Sequence, residues 1–96
     1  MYMLKRRVSK DVEKTLEKMP DKQFCQVYDA IESLRTCPEP GDSKELKSNV
    51  PPIRRRKDCG EYRIIYWYDD ENLYVDIVGK RNDDAVYKRA KRKGIL

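Results

Sequence analysis

Gly60-Glu61-Tyr62-Arg63-Ile64-Ile65-Tyr66-Trp67-Tyr68 is the stretch of this 96-residue chain that decides its fold. Aromatic and β-branched side chains dominate it, and the polar run Asp69 to Asn72 follows it, as is usual at the end of a strand. Its alternation separates two faces, one with Tyr62, Ile64, Tyr66 and Tyr68 and the other with Arg63, Ile65 and Trp67. The stretch therefore predicts a buried strand over residues 61–68 at the centre of a sheet.

Arg63 is the charged residue in the middle of this apolar strand. Removing a guanidinium group from water costs free energy unless the charge has a partner. Arg63 is therefore expected either to pair with a carboxylate across the sheet, such as Glu61 or Asp76, or to bind an anion. The sequence leaves both alternatives open.

Two amphipathic helices are predicted between residues 10 and 35. Ser9 can cap the first helix, Pro20 ends it, and Asp21 can cap the second. The second helix carries an apolar stripe at helical spacing, formed by Phe24, Val27, Tyr28, Ile31 and Leu34. The short break between the two helices predicts a helical hairpin whose apolar face covers a sheet.

Three more strands and a final helix complete the prediction. The strands are Tyr2 to Val8, Ile53 to Asp58 and Leu73 to Val78, the last with Leu73, Val75 and Ile77 on one face. The helix is Asp83 to Lys91, with Val86 and Ala90 facing inward. The predicted fold is one α+β domain over residues 1–96, of order β-α-α-β-β-β-α, with a small antiparallel sheet and the hairpin on one of its faces.

The composition limits the function. With 22 Lys+Arg against 17 Asp+Glu the net charge is +5, which suits an anionic partner such as nucleic acid or an acidic protein. The chain has no histidine, which excludes Ser-His and Cys-His nucleophilic systems and the commonest zinc sites. The acidic run Asp69 to Glu71 favours a hairpin turn over a metal site. We therefore expect neither a metal nor a cofactor.

The sequence also bears on location. No apolar run reaches the roughly 20 residues of a membrane span, and residues 1–7 lack a signal-peptide pattern, so we expect a cytoplasmic protein without membrane contacts. The three cysteines, Cys25, Cys37 and Cys59, are odd in number and lack metal-site spacing. They are expected to be free thiols in a reducing compartment.

Four short motifs in the second half of the chain occur together. They are Arg54-Arg55-Arg56-Lys57, Gly60 to Tyr66, Val78-Gly79-Lys80-Arg81, and Tyr87. In this combination the chain resembles the RelE branch of the RelE/ParE toxin superfamily. The resemblance implies the toxin of a toxin-antitoxin pair, an mRNA interferase that cleaves mRNA in the ribosomal A site. It also implies contacts with ribosomal RNA and a cognate antitoxin, which we expect to bind through an acidic or amphipathic segment that displaces residues 83–91.

The resemblance also implies site residues. It assigns catalysis to Arg63, Arg81 and Tyr87, and RNA phosphate contacts to Arg54, Arg56 and Lys80. The chemistry also needs a general acid, for which Lys57 is the candidate. Attack by a 2′-OH without metal or histidine needs cations for the phosphorane, a base and an acid. Arginine forks bind phosphate oxygens, while Tyr87 either exchanges a proton or stacks on a base.

Two positions depart from the family pattern. Asp58 stands where a third basic residue could stand, and Leu46-Lys47-Ser48 lacks the glycine of the usual Leu-x-Gly. Alternation also directs Lys57 to the face opposite Arg54 and Arg56, unless the following turn contains a bulge.

Other functions remain open at this stage. A toxin of the ParE type has the same fold but inhibits DNA gyrase without cleaving RNA, and a basic RNA- or ribosome-binding module would need no catalysis. Individually, the site residues also have structural explanations. Arg54 to Lys57 could be a solvated edge strand, Tyr87 could pack a helix, and Lys91 to Lys93 could complement a helix dipole.

Overall fold

Five strands and three helices make up the part of the chain that the structure, a computed structural model, describes, which is residues 3–82 and 84–96. In chain order they are β1 (Lys5–Val8), α1 (Lys10–Glu17), α2 (Asp21–Thr36), β2 (Lys44–Glu45), β3 (Arg55–Cys59), β4 (Tyr62–Tyr68), β5 (Asn72–Lys80) and α3 (Ala85–Arg92). The predicted α+β order is confirmed. The two-residue strand β2 is an addition in a polar segment that gave no strand signal.

The strands form one sheet of order β1-β5-β4-β3-β2, so the predicted central strand β4 lies in the middle. Strands β3, β4 and β5 form the predicted antiparallel meander, and the added strand β2 pairs antiparallel with β3. At the other edge β1 pairs with β5 in parallel, which makes the sheet mixed. A parallel pair needs a long connection, and the helical hairpin with the three strands after it supplies one. The part of the first predicted strand at Tyr2 lies outside the described residues.

The helical hairpin begins as predicted. Ser9 caps α1, since its Oγ accepts a hydrogen bond from the backbone N of Val12 at 3.2 Å. The predicted cap of α2 is wrong. Pro20 occupies the cap position without a side-chain hydrogen bond, and Asp21 is the first helical residue. There its carboxylate still lies near the positive end of the helix dipole.

The main core lies between this hairpin and the sheet. It joins one face of α2 to one face of β4, through Val27, Ile31, Leu34, Ile64 and Tyr66. The other two members of the predicted stripe lie outside this core. Phe24 is 37% exposed and stacks on Tyr28, whose hydroxyl accepts a hydrogen bond from Arg6 Nη1 at 3.0 Å.

An irregularity in β5 divides the apolar residues between two cores. Ile65 pairs with Ile77 but Tyr66 pairs with Val75, so Asp76 has no partner in this ladder, as in a β-bulge. Ile77 therefore does not share a face with Leu73 and Val75 as predicted, and Val78 joins those two in the main core. The second core, on the opposite sheet face, consists of Ile65, Ile77, Val86 and Ala90. The predicted inward orientation of Val86 and Ala90 is confirmed.

The acidic run after β4 forms a turn. Asp69 Oδ1 accepts hydrogen bonds from the backbone N of Glu71 at 2.9 Å and of Asn72 at 2.7 Å. Within residues 3–82 and 84–96, no group of three or more His, Cys, Asp or Glu side chains could hold a metal ion. In the same ranges no helix is long and apolar enough to cross a membrane. The three cysteines are free thiols.

The Asp69 turn predicts a loss of stability in acid. The two backbone N–H donors lower the pKa of the Asp69 carboxyl. A lowered folded-state pKa contributes stability that is present above the unfolded-state pKa of about 3.9 and is lost as pH falls below it. We expect urea denaturation of Asp69→Asn to show a shallower fall in unfolding free energy between pH 5 and pH 3 than the unsubstituted chain. Equal slopes would contradict this.

Candidate active site

Strand register brings basic residues together on the sheet face opposite the hairpin. On β3, Arg56 and Asp58 point to this face, and Asp58 pairs with Arg63 of β4. Arg63 in turn pairs with Gly79 of β5, two residues before Arg81. Helix α3 covers the second core on the same face and adds Tyr87. We call Arg56, Asp58, Arg63, Arg81 and Tyr87 the arginine–tyrosine cluster.

Two arginines of the cluster bind the hydroxyl of Tyr87. Arg63 Nη1 donates to Tyr87 Oη at 2.8 Å, and Arg56 Nη1 donates to the same oxygen at 3.2 Å. The guanidinium carbon of Arg63 also lies 5.3 Å from the centre of the Tyr87 ring. A phenol oxygen that accepts two hydrogen bonds keeps its own proton to donate. The hydroxyl of Tyr87 is therefore arranged to donate that proton to a group other than these arginines.

Asp58 holds the other side of Arg63. Its carboxylate accepts from Arg63 Nε at 2.7 Å and Nη2 at 3.2 Å, and from Arg81 Nη1 at 3.4 Å. The hydrogen bond from Arg63 is the main reason that the pKa of Asp58 lies below its usual value. The same bond raises the pKa of Arg63. Arg63 thus has a carboxylate partner, which is neither Glu61 nor Asp76.

Close packing of α3 on the sheet positions Tyr87. A Cβ added to Gly79 would lie 2.8 Å from Cγ2 of Val86, so a larger residue there would push the helix away. Arg89 Nη1 donates to the carbonyl of Val78 at 3.2 Å, which links α3 to β5. The N-cap residue of α3, Asp84, has a left-handed conformation (φ 58°) and makes no side-chain cap hydrogen bond. Its docking therefore depends on the sheet contacts more than on its own N-terminus.

Comparison with solved structures gives several similar folds. A chain of the archaeal RelE-RelB complex from Pyrococcus horikoshii OT3 matches with a TM-score of 0.73 and 21% identity, over 84% of this chain and 98% of that one. A free-state mutant of the E. coli toxin RelE matches with a TM-score of 0.72 and 20% identity over 100% of both chains. This chain has the RelE fold.

A third structure with the RelE fold is the toxin-antitoxin complex RelBE2 from Mycobacterium tuberculosis, with a TM-score of 0.71 and 23% identity over 86% of this chain and 97% of that one. No protein-family model matches the sequence, and no curated protein matches it. At these identities the likeness establishes the RelE fold, and the function has to be argued from the cluster itself.

Arg54 does not join the cluster, although it lies two residues before Arg56 and alternation predicts the same sheet face for both. Its side chain is buried and donates to Asp76 Oδ2 at 2.8 Å and to the carbonyls of Pro52 and Ile95, each at 3.2 Å. The bulge at Asp76 brings that carboxylate within reach. The prediction of an RNA contact at Arg54 is therefore corrected, because this side chain is occupied in joining three segments of the fold.

Lys57 lies on the opposite face of the sheet. The pairing of β3 with β4 is continuous through Lys57, so no bulge turns its side chain toward the cluster. Its ammonium group forms an ion pair with Asp42 instead. Lys57 is therefore not in a position to act as the general acid, which corrects that assignment and confirms the alternation of the strand.

Lys80 lies beside the cluster rather than in it. It pairs with Tyr62 on the hairpin side and lines a polar groove of about 690 Å³ together with Lys22, Gln26 and Arg81. Arg81 belongs to both the groove and the cluster, and its side chain is 51% exposed. An RNA contact at Lys80 stays a prediction, at the border of the cluster.

Asp58 is the member of the cluster that sequence reasoning missed as a partner for Arg63. The signal was present, because Gly60 and Glu61 form a two-residue connection between β3 and β4. Such a connection places the second residue before it opposite the second residue after it, which are Asp58 and Arg63. Opposite charges at such a cross-strand pair predict an ion pair.

Proposed function

We propose that this chain is a single-domain toxin of a toxin-antitoxin pair that cleaves mRNA on the ribosome as an endoribonuclease. The observation that carries the proposal is the Tyr87 hydroxyl held by Arg56 and Arg63, with Arg81 close by, on a RelE fold. Three arginines and a tyrosine from four separate segments converge on one face. A solvated edge strand would not require that convergence.

The arginines supply the charge stabilisation that phosphodiester cleavage needs. When the 2′-OH attacks the phosphorus, negative charge develops on the phosphorane oxygens, and planar guanidinium forks match those oxygens. Arg63 is largely buried and is held from one side by the Tyr87 oxygen, so its guanidinium group reorganises little during the reaction. Arg81 is more exposed and would meet the phosphate from the solvent side.

Tyr87 takes the general-acid role in this proposal. With two arginine donors on its oxygen, its proton is the part of the hydroxyl left for the substrate. The leaving 5′ oxygen requires a proton when the phosphorus–oxygen bond breaks, and the Tyr87 hydroxyl supplies it. The 2′ oxygen, whose proton passes to solvent water acting as the base, bonds to phosphorus as the 5′ oxygen leaves, which gives a cyclic phosphate.

Tyr87→Phe tests this role. We expect cleavage of mRNA on purified ribosomes to slow about 10²-fold, the lower end of the usual contribution of general acid–base catalysis. Tyr28→Phe is a matched control, because the Tyr28 hydroxyl also accepts a hydrogen bond from an arginine but lies on the other side of the fold. Cleavage by Tyr87→Phe at the original rate would mean that only the ring is used, for stacking on a base.

The proposal includes a cognate antitoxin as the protein partner and the cytoplasm as the location. One of the similar structures is a RelE-RelB complex and another is the toxin-antitoxin complex RelBE2, which supports an antitoxin here. A basic chain with an α3 that lacks a side-chain cap suits an acidic or amphipathic segment that displaces this helix. The gyrase-inhibiting and purely RNA-binding alternatives would not depend on the Tyr87 hydroxyl.

A further inference from the structure

We propose that Asp58 is a built-in competitor for the RNA phosphate, which occupies the arginine forks until a correctly presented strand displaces it. This inference rests on the proposed function of the cluster as a phosphate site. It assigns Asp58 as a positioning and specificity residue, which acts through Arg63 and Arg81.

The contacts of Asp58 are those expected of a phosphate. A guanidinium group binds a carboxylate and a phosphate through the same pair of parallel N–H donors. Asp58 takes both such donors of Arg63, at 2.7 and 3.2 Å, and its Oδ2 also faces Arg81 Nη1 at 3.4 Å. A phosphate that used these donors would have to replace the carboxylate.

The exposure of the pair allows this exchange. The Arg63 side chain is 12% exposed, so it stays in place, while the Asp58 side chain is 35% exposed and can turn toward solvent. Asp58 lies two residues before Gly60, near the end of β3. The carboxylate is thus the partner with room to turn away, and the arginine is the more buried one.

The charges explain what such a competitor does. Arg56, Arg63 and Arg81 carry three positive charges, and Asp58 cancels one of them. A phosphate must displace the carboxylate and then remain close to its negative charge, so an RNA strand that touches only the cluster binds weakly. A strand held by further contacts, such as mRNA on the ribosome, has the additional binding free energy to displace Asp58. Asp58 therefore favours the binding of RNA that is held on the ribosome over the binding of free RNA.

A purely structural ion pair makes the opposite prediction. If Asp58 only orients Arg63, then its removal loosens the arginine and weakens RNA binding. If Asp58 competes with phosphate, then its neutralisation strengthens RNA binding, since the donors of Arg63 become free. The sign of the change in affinity separates the two.

The test measures binding of a short, fluorescently labelled single-stranded RNA by anisotropy. Asp58→Asn is expected to bind it about tenfold more tightly than the unsubstituted chain, from the loss of one close like charge. Its affinity should also depend more steeply on salt, by about 0.7 in the log–log slope for one added phosphate contact. Asp58→Glu keeps the carboxylate and should stay near the original affinity.

Asp42→Asn is the matched control. It removes the same charge from an aspartate that also pairs with a cation of β3, but on the other face through Lys57. Its RNA affinity should change less than twofold, because its charge lies away from the cluster. Asp58→Ser provides a second neutral variant in case Asp58→Asn folds poorly, and circular dichroism confirms folding of each.

The outcomes separate this inference from the proposed function. Unchanged or weaker RNA binding by folded Asp58→Asn and Asp58→Ser overturns the competitor, and so does an equal gain in Asp42→Asn. Tighter binding by the Asp58 variants supports the competitor, even if no variant cleaves mRNA on ribosomes, in which case the nuclease proposal alone fails. Cleavage of free RNA should rise in Asp58→Asn relative to cleavage on ribosomes, and a constant ratio contradicts a role in specificity.

Discussion

Arg63→Ala is expected to lower the rate of mRNA cleavage on ribosomes by about 10² to 10³-fold, by analogy with the loss of one oxyanion donor. Arg63 is the arginine that contacts both Tyr87 and Asp58. Its removal therefore eliminates a cation that stabilises the negative charge of the transition state, and also a hydrogen bond that holds the Tyr87 hydroxyl. Arg81→Ala should fall in the same range, because it also removes a cation from the phosphate site. The measurement is single-turnover cleavage followed by primer extension.

The fold offers a close control for Arg63. Arg6 also binds a tyrosine hydroxyl, Tyr28, at 3.0 Å and a carboxylate, Glu32, at 2.8 Å, but on the other side of the molecule. Arg6→Ala should cleave at the original rate. Full activity in folded Arg63→Ala and Arg81→Ala chains that still bind ribosomes would remove the catalytic assignment.

Part of the loss in Arg63→Ala will come from Asp58, which is left without its main partner next to the phosphate. The double substitution Arg63→Ala with Asp58→Asn separates this repulsion from the missing guanidinium. We expect the double variant to recover a portion of the rate but not all of it. Such non-additivity is usual for residues in contact.

Gly79→Ala is expected to destabilise the fold by about 1 to 3 kcal/mol, the usual cost of overpacking, and to reduce cleavage as well. The new Cβ would lie 2.8 Å from Val86 Cγ2, and the side chain of valine in a helix has little freedom to move away. Helix α3 must therefore shift outward and carry Tyr87 away from Arg56 and Arg63. Chemical denaturation and the cleavage assay measure the two effects.

Val86→Ala in the same chain provides the rescue. It removes the methyl group that the new Cβ meets, so the double variant should regain cleavage relative to Gly79→Ala, although Val86→Ala alone loses core packing. Gly41→Ala is a control, because a Cβ there has nothing within 4 Å. Cleavage by Gly79→Ala at the original rate would show that Tyr87 does not depend on the docking of α3.

Much of the fold follows from local chemistry that the sequence displays. The alternation of β4 and the cap at Ser9 both predict what is observed. The bulge at Asp76 could not be predicted, because Ile77 and Val78 are both apolar and either could face the main core. The parallel partner of β1 was equally hidden, since alternation within a strand gives its faces and not its neighbour.

The site, like the fold, could be predicted only in part from the sequence. Alternation within each strand gave the same parity to Arg54 and Arg56, and the motif resemblance assigned Arg63, Arg81 and Tyr87 to the site, although Arg81 and Tyr87 lie far away along the chain. The register of β3 with β4 brings Arg56 and Arg63 to one face. Alternation gave Arg54 the same predicted face as Arg56, but Arg54 does not join the cluster. The bulge in β5 gives Arg54 a carboxylate partner, Asp76, which alternation does not reveal. Lys57 was proposed as the acid because the reaction needs one, although alternation directs its side chain away from Arg56. In the structure Lys57 lies on that opposite face.

The dispersed origin of the cluster sets the order in which it can form during synthesis. Arg56 and Tyr87 are 31 residues apart, and α3 follows every strand of the sheet in the chain. The surface on which α3 docks includes Ile77 and Gly79 of β5, so that strand has to be in place first. The arginines of a growing chain are therefore synthesised before Tyr87 can contact them. The complete cluster forms only after the strands of the sheet have paired and α3 has packed on them.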